Sequence, residues 1–567
     1  FDDFYLVYGS SYPGRVGAIS YLFEQSSVLG LVQETDFGTL RYDDKIGQQT
    51  RVLLALIRAG QDRRAELHAH LSDFYDQSRR RAANDPTDAY VFTSPDRGRL
   101  SMFLDLLAVH EIDAFELNEA VTVDGVRFRP GEAYVVPVEQ DEYRIVQGLF
   151  ETRVIEDRTE FYDVSGWTQP LAYDLDYAPV RGGLFSRNLT GDAAGRLELS
   201  VQAPARSDYA YVMEWDAFHA PRALYRFLEA GARAQVIPDE IELPLMDGGT
   251  AEPGRGAIVI PVRAQADTDA ETIHRLVAQA AEEDGVTLHA VSTSYTARGS
   301  DLGGFELSPV ERPEVLLVTG RGVDMYDAGE LWHLLDHEMA MPVSMIDLSE
   351  LSGADLDRYT HILMPNGRYD GLGEDFTGKL NGWISGGGVL IASTSAARWA
   401  AENDVASAKI ANEDEETGSE DEAEPAEPRA YETIDAWDAE ESISGAIFAA
   451  ELDVTHPLGF GYRDGDLPVH RIGTLAFDLS DNPFALPLRY AEDDPLLSGY
   501  ASDKNREELA GKGSVHAERN GAGSVILFAD RMYYRAYFRG TSKMLMNAIF
   551  FGDDFRNSRR GPYETGE

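Results

Sequence analysis

The sequence predicts an α/β protein made of a first α/β piece (1–85), two repeated α/β units (86–308) and a doubly wound domain (309–567). Three observations predict it. Short apolar strands alternate with amphipathic helices along most of the 567 residues. A strand–helix–strand unit, AYVFTSPDRGRLSMFLDLLAVHEIDAFEL, returns about 120 residues later as AYVMEWDAFHAPRALYRFLEAGARAQVI. From Glu314 the alternation continues through HILMPNG and GGGVLIASTSAARW, the rhythm of a sheet covered on both faces.

The first piece reads as a loop at GSSYPGRVG, a strand at AISYLFEQ, and a long helix from about Asp44. In that helix Ile46, Val52, Leu53, Leu56 and Ile57 recur at helical spacing, which predicts packing across a sheet. In the repeat, Ala89-Tyr90-Val91 matches Ala210-Tyr211-Val212, and Pro137-Val138 matches Pro261-Val262; parallel sheets are expected from the β–α–β alternation. A looser third copy runs from Pro313 to Asp347. The doubly wound region is interrupted by NEDEETGSEDEAEPAEP within 411–430, too charged to bury and expected to be a disordered surface loop. Strands around Ile447–Leu452 and Pro468–Leu479, the strand SVILFAD and a helix from Ser542 to Phe551 close the chain.

Composition narrows the chemistry. The length calls for several cores, and 43% hydrophobic residues supply them. With no cysteine, a thiol nucleophile, a thiolate metal site and a disulfide are all excluded. A net charge of −48 argues against nucleic acid and anionic membranes as partners. The acidic, lysine-poor surface suits a salty habitat, or is simply the surface of a high-GC genome's product. No run approaches the roughly 20 apolar residues of a membrane helix. The chain opens on Phe1 without a basic n-region, so its beginning, with any targeting signal, is expected to be missing.

A carboxylate ending an apolar strand, as Glu24 does in AISYLFEQ, is either a water-facing edge residue or a functional one. The stretch from Tyr12-Pro13 through Phe23-Glu24-Gln25, with the downstream GLVQET and the long helix, resembles the final third of the carboxypeptidase A-like zinc metallopeptidase domain, in the large bacterial type with long C-terminal extensions. The resemblance implies that Glu24 is the general base and Tyr12 a substrate-site residue, with Tyr5 and Tyr8 as near neighbours of that tyrosine. It further implies zinc as cofactor, peptide as substrate, and a periplasmic or extracellular address. The family's H-x-x-E pair and third histidine should precede the general base, and no histidine lies among the 23 residues before Glu24. This chain alone is therefore expected to bind no catalytic zinc and to hydrolyse nothing.

His333 and His337 share one helical face, but Glu338 should point elsewhere, so ordinary surface histidines are expected. His68 and His70 fall on different faces. The region from Glu314 to Gly552 resembles a class I glutamine amidotransferase-like, flavodoxin-like domain. The turn after GGGVLIAS, where an active member holds cysteine, offers Thr394 and Ser395. Without a base to activate a hydroxyl there, a scaffold is expected, the rival being a hydrolase that uses Ser395. Gly386-Gly387-Gly388 reads as a tight lead into the strand. Thr319–Gly322 and the run from Phe528 to Arg535 read as polar clusters at strand ends that either bind a peptide or cap helices, with capping expected, and Trp167 reads as a packing residue. The remaining rival is a peptide-binding protein without catalysis.

Overall fold

The computed structural model describes residues 6, 8–25, 28–155, 164–411 and 428–554. All but the last residue of the expected acidic loop Asn412–Pro428, and Tyr5, lie outside the described residues. The protein is mixed α/β and divides into two compact units. One comprises Phe1–Val91, Leu107–Glu151 and Ala178–Ala193; the other comprises Phe92–Leu106, Thr152–Tyr177 and Ala194–Glu567. No helix among the described residues is long and apolar enough to cross a membrane.

The first unit begins with a single turn, α1 (Tyr12–Arg15), followed by irregular backbone through Gln25. The strand expected at AISYLFEQ does not form: Ile19, Tyr21, Leu22 and Phe23 are exposed, and no neighbouring strand takes up their backbone groups. A hairpin of β1 (Val32–Thr35) and β2 (Gly38–Arg41) leads into α2 (Tyr42–Asp62) and α3 (Arg64–Ala82). The helix expected from Asp44 is present, but it packs across no sheet. None of its residues is buried, and Leu53 and Ile57 are 59% and 67% exposed.

The first repeat consists of β3 (Thr87–Thr93), α4 (Arg97–Val109), β4 (Phe115–Leu117), the hairpin β5 (Val121–Val123) and β6 (Val126–Phe128), β7 (Ala133–Pro137), α5 (Tyr143–Phe150), a short α6 (Gln169–Ala172), β8 (Asp176–Arg181) and β9 (Thr190–Ala193). Its sheet order is β8-β3-β7-β4-β9. The second repeat runs β10 (Ala210–Met213), α7 (Ala220–Glu229), β11 (Ala234–Val236), the hairpin β12 (Leu243–Pro244) and β13 (Thr250–Ala251), β14 (Ile258–Pro261), α8 (Ala270–Glu283), β15 (Leu288–Val291) and β16 (Ser308–Val310). Its order is β15-β10-β14-β11-β16, the same arrangement strand for strand. The repeat is therefore structural as well as sequential.

The sheets are not parallel, however. β10 and β11 each pair antiparallel with β14, which sits between them. The hairpin-bearing connection after β11 returns the chain into the slot that a parallel β–α–β crossover would have closed, giving a split βαβ unit. Pro261, opposite Ala210, ends β14 as Pro137 ends β7.

The third region is wound differently. β17 (Val315–Thr319), β18 (Ser344–Asp347), β19 (His361–Met364), β20 (Val389–Ser393) and the later β26 pair in parallel in the order β18-β17-β19-β20-β26. In chain order these are strands 2-1-3-4-5, a doubly wound sheet. The third sequence copy thus enters this parallel sheet instead of making another split unit. Helices α9 (Met325–Trp332), α10 (Glu374–Ser385) and α11 (Ser395–Glu402) follow β17, β19 and β20 in turn.

The remaining strands are β21 (Ala446–Leu452), β22 (Asp466–Arg471), β23 (Leu488–Tyr490), β24 (Leu496–Ser498), β25 (Gly513–Asn520) and β26 (Gly523–Phe528). β25 pairs antiparallel with β26, and β23, β21 and β22 extend the sheet beyond it. The closing helix Ser542–Phe551 is wholly buried. Trp167 is a packing residue, its ring 4.1 Å from that of Tyr537, while the neighbouring Ser165 Oγ donates to the Gly445 carbonyl at 2.8 Å.

Candidate functional site

Open α/β sheets bind ligands outside the carboxyl ends of their strands, at the point where strand order reverses. Here that point lies between β17 and β19, and the residues around it are polar. Asp324 caps α9 by accepting from the Tyr326 N–H at 2.9 Å. Its carboxylate also pairs with Arg531, which follows β26. Asp327, one turn further on, accepts from the Asn366 N–H at 2.6 Å and from the Ser393 hydroxyl at 3.1 Å. Glu330, another turn along, is buried with neither carboxyl oxygen hydrogen-bonded; its nearest cation is Arg531 at 3.8 Å.

Three carboxyls around one guanidinium cannot all ionise cheaply. Burial raises the Asp327 carboxyl above its ordinary range despite Arg531. Burial likewise pushes Glu330 up to about 8, so it carries a proton at neutral pH. Burial also acts on Asp324, but Arg531 and the Tyr326 N–H outweigh it and hold that carboxyl low. The space beside the cluster is about 20 Å³, room for a single water. Asp530 is sealed in as well: it pairs with Arg471 at 2.9 Å and accepts from Tyr490 at 2.6 Å and Ser514 at 2.7 Å. Asp327, Glu330 and Asp530 of this edge are therefore buried, with Asp324 half-buried beside them, and the run from Phe528 to Arg535 supplies the ion-pairing residues Asp530 and Arg531.

Between β20 and α11 the backbone turns sharply at Thr394, with φ 51° and ψ −117°. A β-branched residue there is strained, by about 1–3 kcal/mol. The Thr394 N–H is pinned to the Phe528 carbonyl at 2.7 Å, and its Oγ1 is buried without a partner. Sequence reasoning put the candidate nucleophile at Ser395, but the strained position is Thr394. The Ser395 hydroxyl is occupied by Asn366 Oδ1 at 2.6 Å, the Gly367 carbonyl at 2.7 Å and the Gly367 N–H at 2.8 Å. None of these can take up a proton as a general base does, so Ser395 is a turn-fixing residue.

The residues singled out in the first piece are placed as follows. Glu24 is exposed on the irregular segment after α1, not at a strand end. Tyr12 is half-buried on α1, with its hydroxyl 3.0 Å from His110 Nδ1. His68 and His70 are both exposed on α3.

His333 and His337 depart from expectation in a specific way. The segment His333–Glu338 is a π-helical turn, with the Met339 N–H bonded to the Leu334 carbonyl at 2.9 Å. In an α-helix residue i+5 sits about 140° from residue i. Hydrogen bonding to i+5 widens the turn, so that i+4 and i+5 both lie beside i. Glu338 therefore joins the two imidazoles instead of pointing elsewhere. The rings stack at 4.8 Å. Glu338 Oε1 accepts from Arg539 at 3.2 Å and from the Tyr533 hydroxyl at 3.3 Å. Burial pushes this carboxyl up, but Arg539 outweighs it and holds it below its usual range.

Asp327 and Glu330 were not among the residues picked out from the sequence, whereas Arg531 lay within the run read as capping and Glu338 was expected to point away from the two histidines. A signal for the first two exists: Asp324, Asp327 and Glu330 recur every third residue and so lie near one another along α9, which buries Asp327 and Glu330.

No family model matches the chain, and no curated protein matches it. Among solved structures it is similar to a ThuA-like protein from Parabacteroides merdae ATCC 43184, at 12% identity and a TM-score of 0.29 over 44% of this chain and 93% of that one. It is similar to a GMP synthase subunit protein from Thermoplasma acidophilum, at 11% identity and a TM-score of 0.25 over 42% and 94%. A beta-galactosidase from Bacillus circulans gives 12% identity and a TM-score of 0.24 over 42% and 30%. Likenesses of this strength leave function to be read from the residues.

Proposed function

We propose that this chain is the carboxy-terminal part of a zinc metallocarboxypeptidase-like protein, exported to the periplasm or beyond, in which residues 1–85 complete a peptidase domain and the α/β regions position peptide without covalent chemistry. The observation that carries this reading is the apolar surface of the first piece. Leu31, Leu53, Ile57 and Phe37 are 77%, 59%, 67% and 100% exposed, along a stretch whose sequence resembles the last third of that domain. Side chains of this kind, spread over a hairpin and a long helix, mark a surface made to be covered.

The chain brings no zinc ligand set to Glu24: no histidine precedes it, and His68 and His70 lie apart on α3. The ligands belong to the covering half. In the completed domain Glu24, on a segment open to that half, takes the proton of the attacking water and returns it to the leaving amine. Such a transfer contributes roughly 10²- to 10⁴-fold in rate. Tyr12 lines the peptide site.

The doubly wound domain is, on this reading, amidotransferase-like in strand order and retired in chemistry. Its sharp turn holds a partnerless threonine, and its serine is tied to a neighbouring loop. The sealed edge favours the same conclusion over a serine hydrolase. A fluorophosphonate probe is expected to leave Ser395 unlabelled, and labelling would overturn this part of the reading.

A further inference from the structure

We propose that His333, His337 and Glu338 form a zinc site on the π-turn that ends the helix after β17, a site carried by this chain alone and independent of the peptidase reading. One ligand atom from each of the three side chains lies within 4.8 Å of the others. Around a tetrahedral zinc, bonded at about 2.0–2.1 Å, donor atoms sit roughly 3.4 Å apart. Closing the difference asks for a shift of roughly 1 Å between donor atoms, and His337, exposed and stacked on His333, is the side chain placed to make it by rotation.

The donor set is two imidazoles and one carboxylate, which suits zinc with a further position open to water or a ligand. The backbone is what makes the set. A regular helix would present the two histidines and turn Glu338 away; the π-turn brings all three to one side, and single π-turns are concentrated at functional sites.

The surroundings are those of a metal ligand held in place from behind. Glu338 Oε1 is fixed by Arg539 and by the Tyr533 hydroxyl, leaving Oε2 outside both contacts. The same hydroxyl lies 3.4 Å from His333 Nδ1. Ligating carboxylates and imidazoles are characteristically oriented by such outer hydrogen bonds. The rival account, a stacked histidine pair beside a structural Glu338–Arg539 ion pair, explains the same contacts without metal, and the two part company on zinc.

The test is zinc titration of the full chain against a chromophoric chelator, with cobalt substitution as a second readout. The wild-type chain is expected to take up one zinc that the His337→Ala and Glu338→Gln variants bind roughly tenfold or more weakly. Cobalt loading should give a visible absorption band that both variants lose. Because His337 is exposed, His337→Ala keeps the fold, and its thermal melt without metal should match the wild type. No zinc uptake by the wild type, or equal uptake by wild type and His337→Ala, overturns the proposal.

Discussion

The first piece of the chain and the carboxyl edge of its doubly wound sheet distribute their residues in opposite senses. In the first piece, Phe37, Leu53 and Ile57 stand in water on a hairpin and a helix with no sheet to cover them. At the edge, Asp327, Glu330, Arg471 and Asp530 are buried, and the remaining space admits one water. An uncovered apolar surface of this kind is open to a partner; the space beside the buried acids and arginines of the edge holds little more than a water. On the proposed peptidase reading, the difference directs the search for chemistry to the open piece before the sheet edge where the fold class would place it.

The comparison breaks most readily at the closed edge. Arg471 and Asp530 are both fully buried, so Arg471→Met strands a carboxylate and is expected to cost about 3–5 kcal/mol in urea unfolding. The double variant Arg471→Met/Asp530→Leu should recover much of that; a single-variant loss under about 1 kcal/mol would mean the edge is open to water. Glu330 gives the next largest effect. Its folded pKa, about 8, exceeds its ordinary value of 4.5, so the native state holds an extra proton between those values. Stability from this group is complete below pH 4.5 and is lost as pH rises towards 8, by at most about 1.4 kcal/mol per unit. Melting temperatures from pH 5.5 to 8.5 should fall less steeply for Glu330→Gln than for the wild type, and parallel curves would show Glu330 to be solvated.

Smaller effects sharpen the contrast. Thr394→Gly removes β-branched strain at a positive φ and, after the added chain entropy of glycine, should stabilise by about 1 kcal/mol. Destabilisation there would show that the threonine side chain holds the turn. On the open piece, Leu53→Glu with Ile57→Glu should change the stability of this chain by less than about 0.5 kcal/mol. A larger loss would show that α2 is already covered.

Much of the architecture was legible, and the failures have identifiable causes. The repeat was visible because Ala89-Tyr90-Val91 and Ala210-Tyr211-Val212 begin equivalent strands, and Pro137 and Pro261 end equivalent ones. The closing helix Ser542–Phe551 was read to the residue. Strand direction was not legible: β–α–β alternation is common to parallel and split units, and only the slot taken by β14 decides between them. At AISYLFEQ the apolar run suggested a strand, but a strand needs neighbours and the described residues supply none. Glu338 was expected to point away from the two histidines because helical spacing assumes a regular helix, and an i+5 turn leaves no mark in the pattern of apolar residues. Ser395 drew attention ahead of Thr394 for its chemistry, whereas the turn is defined by backbone angles that the sequence does not display.

The peptidase reading rests on Glu24 meeting a complementary half-domain, and one measurement addresses it directly: zinc content and turnover of a C-terminal peptide substrate by the polypeptide extended upstream of Phe1, with and without Glu24→Gln. The account predicts one equivalent of zinc in both proteins beyond any held at His333, His337 and Glu338, and turnover at least about 100-fold lower in the variant. Equal turnover in the two proteins would contradict it.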